Sequence, residues 1–109
     1  MLNNEGRQNL ENIKRAAADV WGKKCRFSDF KDFGAPFCMF EIHLFIHEKF
    51  DVLLTYDRST LDISIRMKDE YQWLGDLTNQ NLIEGFDSCK PDSLLHNFVI
   101  LDNVLSSMR

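Results

Sequence analysis

The sequence has little of the chemistry that marks an enzyme, a metalloprotein or a membrane protein. Its three cysteines, Cys25, Cys38 and Cys89, stand far apart and form no C-x-x-C pair, which predicts reduced thiols and a cytoplasmic location. No apolar run approaches the ~18 residues of a membrane span. The first residues show no basic segment followed by an apolar one, so no secretory signal is expected. The five glycines are dispersed singly, which excludes a glycine-rich phosphate loop.

The histidines and acids that could carry chemistry are not arranged for it. His43 and His47 lie about 13 Å apart on an extended segment, so they cannot share a metal ion unless the hairpin curls strongly. Both are expected to be surface histidines. Glu41 and His43 could act as an acid–base pair, but an open sheet offers little burial to tune their chemistry. We therefore expect no catalytic residues, metal or cofactor, although a cysteine–histidine dyad formed in space stays open.

Acidic residues outnumber basic ones, and the excess is concentrated in the later part of the chain. The formal net charge is −4 at pH 7. Residues 1–35 carry seven Lys or Arg against five Asp or Glu, whereas residues 36–109 carry six against twelve. A nucleic-acid partner needs a cationic footprint, so none is expected. The acidic excess either keeps the protein in solution or attracts a basic partner.

Apolar periodicity predicts a single α+β domain over residues 1–109. Its elements are an N-terminal helix, an antiparallel β-meander of three to five strands, and C-terminal helices packed on one face of the sheet. The first helix covers residues 4–21 and ends at Gly22. A short helical pattern follows Thr78, and Pro91 begins a longer amphipathic helix.

Three segments alternate apolar and polar residues and are predicted as strands: 37–46, 50–56 and 60–67. A slip of one residue would turn an apolar set to water, so the register is constrained. It places Ile46 opposite Phe50 and Tyr56 opposite Leu61. The other face then carries three cross-strand rows: Glu41–Thr55–Asp62, His43–Leu53–Ser64 and Phe45–Asp51–Arg66. The last row contains a complementary pair of charges.

A further strand is a candidate at residues 24–30. Basic residues interleaved with Phe27 and Phe30 could suit single-stranded nucleic acid. However, Asp29 and Asp32 interrupt the basic run, and the remaining chain is acidic. We interpret the segment as a strand edge that lysines protect from unwanted pairing.

The strongest surface feature is the segment 68–73, in which two acidic residues precede two amphipathic aromatic residues at alternate positions. This pattern combines long-range attraction with anchors that can fill a partner's pocket. The alternative interpretation is that Trp73 packs under the sheet edge as a core residue. Together with residues of the uncovered sheet face, the candidate partner-binding residues are Glu41, Phe45, Asp51, Asp57, Asp62, Asp69, Glu70, Tyr71 and Trp73.

In size, acidic charge and α+β layout, the chain resembles the immunity proteins of bacterial polymorphic toxin systems, including the contact-dependent growth inhibition type. The resemblance implies a cytoplasmic protein that binds and neutralises a cognate toxin domain, often a nuclease. A monomer is expected, with Tyr71 and Trp73 as its anchors. The groups that would mimic phosphates in the toxin's cationic groove are Asp51, Asp57, Asp62, Asp69 and Glu70.

Two alternatives from other classes stay open. A secretion chaperone or adaptor would hold a partner segment extended on the sheet and would dimerise, for instance through Ile100 and Val104. A small enzyme or ligand-binding domain would need a deep pocket around Glu41 and His43.

Overall fold

The computed structural model describes residues 4–34, 39–57, 60–79, 83 and 89–108. Within them the chain forms α1 (Asn4–Trp21), β1 (Cys25–Gly34), β2 (Met39–Ile46), β3 (Phe50–Asp57), β4 (Thr60–Met67), β5 (Glu70–Trp73), α2 (Leu74–Leu77) and α3 (Pro91–Ser107). The predicted α+β class is confirmed. Some predicted features lie outside the described residues, namely Cys38, the turn at residues 58–59 and most of the short helix after Thr78.

The five strands form one antiparallel sheet in the order β1-β2-β3-β4-β5. The predicted register is confirmed, because Ile46 pairs with Phe50 and Tyr56 pairs with Leu61. The candidate strand at residues 24–30 is β1, which extends to Gly34. β5 was not among the strands predicted from sequence, because its alternation of polar and aromatic residues is only four residues long and all four residues are exposed.

The core lies between one face of the sheet and the two long helices. Side chains at alternate positions of β2 to β4 are fully or almost fully buried, and they meet apolar residues of α1, α2 and α3. Ile13, Ala17, Phe98 and Leu101 are among the helical residues buried there. Burial of this kind, at roughly 25 cal/mol per Å² of apolar surface, is the main force that holds the helices on the sheet.

Two predicted helix boundaries are confirmed. Gly22 follows α1 with a φ of 56°, a left-handed conformation that glycine adopts without a steric penalty. Pro91 begins α3, where its missing N–H costs no helical hydrogen bond. None of the described helices is both long enough and apolar enough to cross a membrane.

The turn between β2 and β3 is bonded to α3 through a residue that also bonds the end of α1. His47 and Glu48 each have a φ of 57°, and Lys49 N–H donates to the Ile46 carbonyl at 3.2 Å. His47 Nε2 lies 3.1 Å from Asp102 Oδ1 on α3. The same oxygen accepts a 2.9 Å hydrogen bond from Trp21 Nε1 at the end of α1. The expectation that His47 is a surface histidine is therefore wrong, since its side chain is only 15% exposed.

Candidate interaction surface

The sheet face opposite the two long helices is the candidate interaction surface, and we call it the open face. Its side chains are all half-buried or exposed, unlike their neighbours on the helix-covered face. Strand alternation and register assign residues to it. The open face of β2 to β5 comprises Met39, Glu41, His43, Phe45, Asp51, Leu53, Thr55, Asp57, Thr60, Asp62, Ser64, Arg66, Tyr71 and Trp73.

Asp51 is the centre of a polar cluster that spans four neighbouring strands. Tyr71 on β5 donates its hydroxyl hydrogen to Asp51 Oδ2 at 2.7 Å. Arg66 on β4 places a guanidinium nitrogen 3.8 Å from the same oxygen, and His43 on β2 places Nδ1 3.4 Å from Asp51 Oδ1. The predicted pairing of Asp51 with Arg66 is thus present. The Asp51 carboxylate is therefore in contact with all three neighbours, and it fixes the position of the Tyr71 side chain.

Tyr71 is held in place although the residue is 38% exposed. The hydroxyl lies 3.3 Å from His43 Nδ1, and the two rings meet edge to face with centroids 6.0 Å apart. Partial burial, and then the hydrogen bond to Asp51, raises the pKa of Tyr71 to about 12. Tyr71 therefore remains a neutral hydrogen-bond donor at neutral pH.

Trp73 lies opposite Ser64 on the open face and is 38% exposed, so it is not the core residue that the alternative envisaged. Its ring folds back against the following turn of chain. A Cβ atom built on Gly75 would come within 2.6 Å of two ring atoms of Trp73. The absence of a side chain at Gly75 thus provides the space in which the indole lies.

Phe45 is partly covered by β1 rather than by a helix. The guanidinium carbon of Arg26 lies 5.3 Å from the centroid of the Phe45 ring, a distance suited to a cation–π interaction. Lys31 lies opposite Glu41 in the β1–β2 pairing. The β1 side of the open face therefore mixes both signs of charge.

The acidic end of the open face lies on β3 and β4. Asp57 and Asp62 occupy it, and Glu41 lies in the same cross-strand row as Asp62. Partial burial, followed by the nearby Asp57 carboxylate, raises the pKa of Asp62. A group whose charge is disfavoured in this way gains most from an incoming cation.

Asp69 and Glu70 are exposed but do not join the other candidate residues on the open face. Asp69 lies in the turn between β4 and β5, and Glu70 pairs with Met67. Alternation along β5 turns Glu70 away from the side of Tyr71. Both residues line a groove with Lys49 and Met108 on the helix side of the sheet edge. The structure therefore divides the nine candidate residues between the open face and this edge.

Sequence reasoning predicted the contact of Arg66 with Asp51 but missed the contributions of His43 and Arg26 to this surface. The contribution of His43 could have been found from the predicted cross-strand rows, since His43 lies one row from Asp51. Arg26 could not, because its place over Phe45 depends on the register of β1, which the sequence did not specify.

The described residues contain no group of three His, Cys, Asp or Glu side chains close enough to bind a metal ion. Burial raises the pKa of the Cys25 thiol to about 11 and that of Cys89 to about 12, so both remain protonated at neutral pH. No family model, curated protein or solved structure matches the chain. The functional conclusion therefore depends on the geometry and charges of the open face.

Proposed function

We propose that the chain is an immunity-type inhibitor that binds and neutralises a cognate toxin domain, a nuclease, through its open face. The observation that carries the proposal is the pair of fixed, partly exposed rings of Tyr71 and Trp73 beside carboxylates. Rings that are already held in position lose little conformational freedom on binding, so more of their contact energy contributes to affinity.

The charges of the open face suit a cationic partner. Glu41, Asp57 and Asp62 are half-buried or exposed, and the chain as a whole has a net charge of −4. A nuclease must present positive charge to its phosphate substrate, and carboxylates placed there would compete with that substrate. Asp51 has a different role in this proposal, because its contacts with Tyr71 and Arg66 make it the support of an anchor.

The proposal predicts that an adjoining reading frame encodes the toxic C-terminal domain of a large secreted protein, and the experiment combines that domain with the full chain. Binding is measured by calorimetry, and nucleic-acid cleavage by the domain is measured with and without the chain. We expect a stoichiometric complex and loss of cleavage. Absence of binding, or binding that leaves cleavage intact, would contradict the proposal.

Variants then locate the surface. Trp73→Ala should weaken binding by about 30-fold or more, as expected for an anchor residue worth about 2 kcal/mol. Asp62→Lys should slow association and reduce its dependence on salt. Glu11→Lys makes the same change of charge on an exposed position of α1 and serves as the control. Equal effects from Asp62→Lys and Glu11→Lys would show that total charge, not the open face, determines binding.

The sheet edge is tested separately. The combined Asp69→Lys and Glu70→Lys variant changes two exposed charges that lie off the open face. The double variant changes the charge by four units and Asp62→Lys by two. A loss of binding free energy more than twice that of Asp62→Lys would therefore move the binding surface from the open face to the groove beside β5.

A further inference from the structure

The outer edge of β1 is the longest exposed strand edge that the described residues contain. The strand has ten residues and pairs with β2 on one side, while no described residue pairs with its other side. Phe27, Phe30 and Phe33 are 39%, 41% and 45% exposed. An edge that combines open backbone groups with exposed apolar side chains is a template for a further strand.

The helix-covered side of this edge is only partly closed. Phe27 and Phe30 line a groove between β1 and α1 together with Leu10 and Lys14. The Lys14 ammonium lies 6.0 Å from the centroid of the Phe27 ring. Apolar side chains of an added strand would therefore meet an apolar surface there.

One backbone N–H group of this edge is already bonded to a neighbouring side chain instead of to another strand. The Phe30 N–H donates to the carboxylate of Asp29, its own neighbour, at 2.9 Å. A second strand would offer a carbonyl to the backbone at this position and release the Asp29 side chain for another partner.

β1 is complementary to itself when two copies run antiparallel about Phe30. Asp29 and Lys31 both project onto the open face, because they pair with His43 and Glu41. A two-fold axis through Phe30 places Asp29 of each copy directly opposite Lys31 of the other, and both pairs lie on one face. Phe30 then meets its own counterpart.

Neighbouring registers lack this complementarity. A two-fold axis perpendicular to the sheet leaves the open faces of both copies on the same side. Residues directly opposite each other must share a face, so every allowed register has its axis at a residue and not between two residues. An axis at Asp29 would oppose two carboxylates, and an axis at Lys31 would oppose two ammonium groups. Both charged pairs also fall between the irregularities of β1 near Ser28 and Phe33, where the strand is regular.

We propose that a second copy of this chain pairs with the first through β1 and joins the two sheets into one. β1 carries two basic residues, Arg26 and Lys31, and two acidic ones, Asp29 and Asp32. Its balance of charge is zero, whereas each chain carries −4, so this edge is where two acidic copies approach with little repulsion. This pairing replaces both the monomer and the lysine-protected strand edge expected from sequence, and it leaves both open faces accessible on the same side.

The test is a charge-reversal cycle read by analytical ultracentrifugation of the full chain over a range of concentrations. Asp29→Lys and Lys31→Asp each replace two attractive contacts by repulsive ones, and each should raise the dimer dissociation constant about tenfold or more. The double variant exchanges the two charges and restores both contacts, so its dissociation constant should return to within about threefold of the original. Lys23→Asp, which lies outside the paired residues, is the control for net charge.

Hydrogen exchange provides an independent measurement, since amides of β1 at the new junction should be protected increasingly as concentration rises. A chain that is monomeric throughout, or a dimer that none of the β1 variants weakens, overturns the proposal. So does a double variant that associates no better than the singles. If the chain stays monomeric and β1 is protected only when an extended peptide from a partner is added, that peptide, not a second copy, occupies the edge.

Discussion

The space beside Gly75 leads to the prediction that Gly75→Ala destabilises the natural chain but stabilises a chain in which Trp73 is replaced by alanine. A methyl group on Gly75 would lie 2.6, 2.6 and 2.9 Å from three atoms of the Trp73 ring. Carbon atoms in contact are ordinarily about 3.5–4.0 Å apart, so the overlap is close to 1 Å. Gly75 has no left-handed φ, and it lies in α2, so alanine fits the backbone there.

Two opposing terms set the magnitude. Overpacking costs about 1–3 kcal/mol, and the lower part of that range applies because the partly exposed ring of Trp73 can swing outward. Replacing glycine by alanine in a helix contributes about 0.5–1 kcal/mol of stability. Gly75→Ala should therefore destabilise the natural chain by about 0.5 kcal/mol, which corresponds to a fall in Tm of roughly 2–4 °C. In a Trp73→Ala background it should instead stabilise by about 0.5 kcal/mol.

The measurement is urea unfolding followed by far-ultraviolet circular dichroism for the four chains of the cycle. Iodide quenching of tryptophan fluorescence should also show a more accessible Trp73 in the Gly75→Ala chain. If Gly75→Ala changes the free energy of unfolding equally in both backgrounds, the indole does not occupy the space at Gly75. The argument that Trp73 is fixed in advance for a partner would then fail.

Three further predictions concern stability. Lys68 has a φ of 60°, which costs a residue with a side chain about 1 kcal/mol, so Lys68→Gly should raise the midpoint of urea unfolding. Asp102→Ala should lower the free energy of unfolding by about 1–3 kcal/mol, measured in urea, because it leaves the buried N–H of Trp21 without its acceptor. Because the pKa of Tyr71 is raised to about 12 in the folded chain, its contribution to stability is complete below about pH 10 and is lost as the pH rises through 12. Thermal unfolding of Tyr71→Phe should accordingly lose less stability over that interval than the natural chain loses.

Matched variants control these experiments. Asp69→Gly changes the other residue of the same turn, which has no left-handed φ, and should not stabilise. Asp102→Asn keeps an oxygen acceptor for Trp21 and should cost less than Asp102→Ala. Asp51→Asn weakens the acceptor of the Tyr71 hydroxyl. In that background, the chains with tyrosine and with phenylalanine at position 71 should differ less in the stability that they lose at alkaline pH. If a control variant has a larger effect than the variant it is matched to, the contact or backbone strain on which that prediction depends is not present.

Much of the sheet could be predicted because its strands obey a strict period of two. Residues 50–56 bury their even positions and residues 60–67 their odd ones, so a slip of one residue would separate the apolar faces. The short connections between the strands then select one of the registers that remain. That register in turn places Asp51 beside Arg66 from the sequence alone. β5 was not predicted, because an alternation of only four exposed residues is too short to identify a strand, and this strand forms only by pairing with β4.

The amino-acid sequence by itself determined the class of fold, the faces of the strands and the acidic balance, since these depend on local periodicity and composition. Only the tertiary structure decided what the polar side chains contact. The bonds from Asp51 to Tyr71 and from His47 to Asp102 join residues 20 and 55 positions apart. Such contacts depend on how strands are arranged side by side, on where a helix crosses the sheet and on which rotamers fit there. Those quantities follow from packing the whole chain.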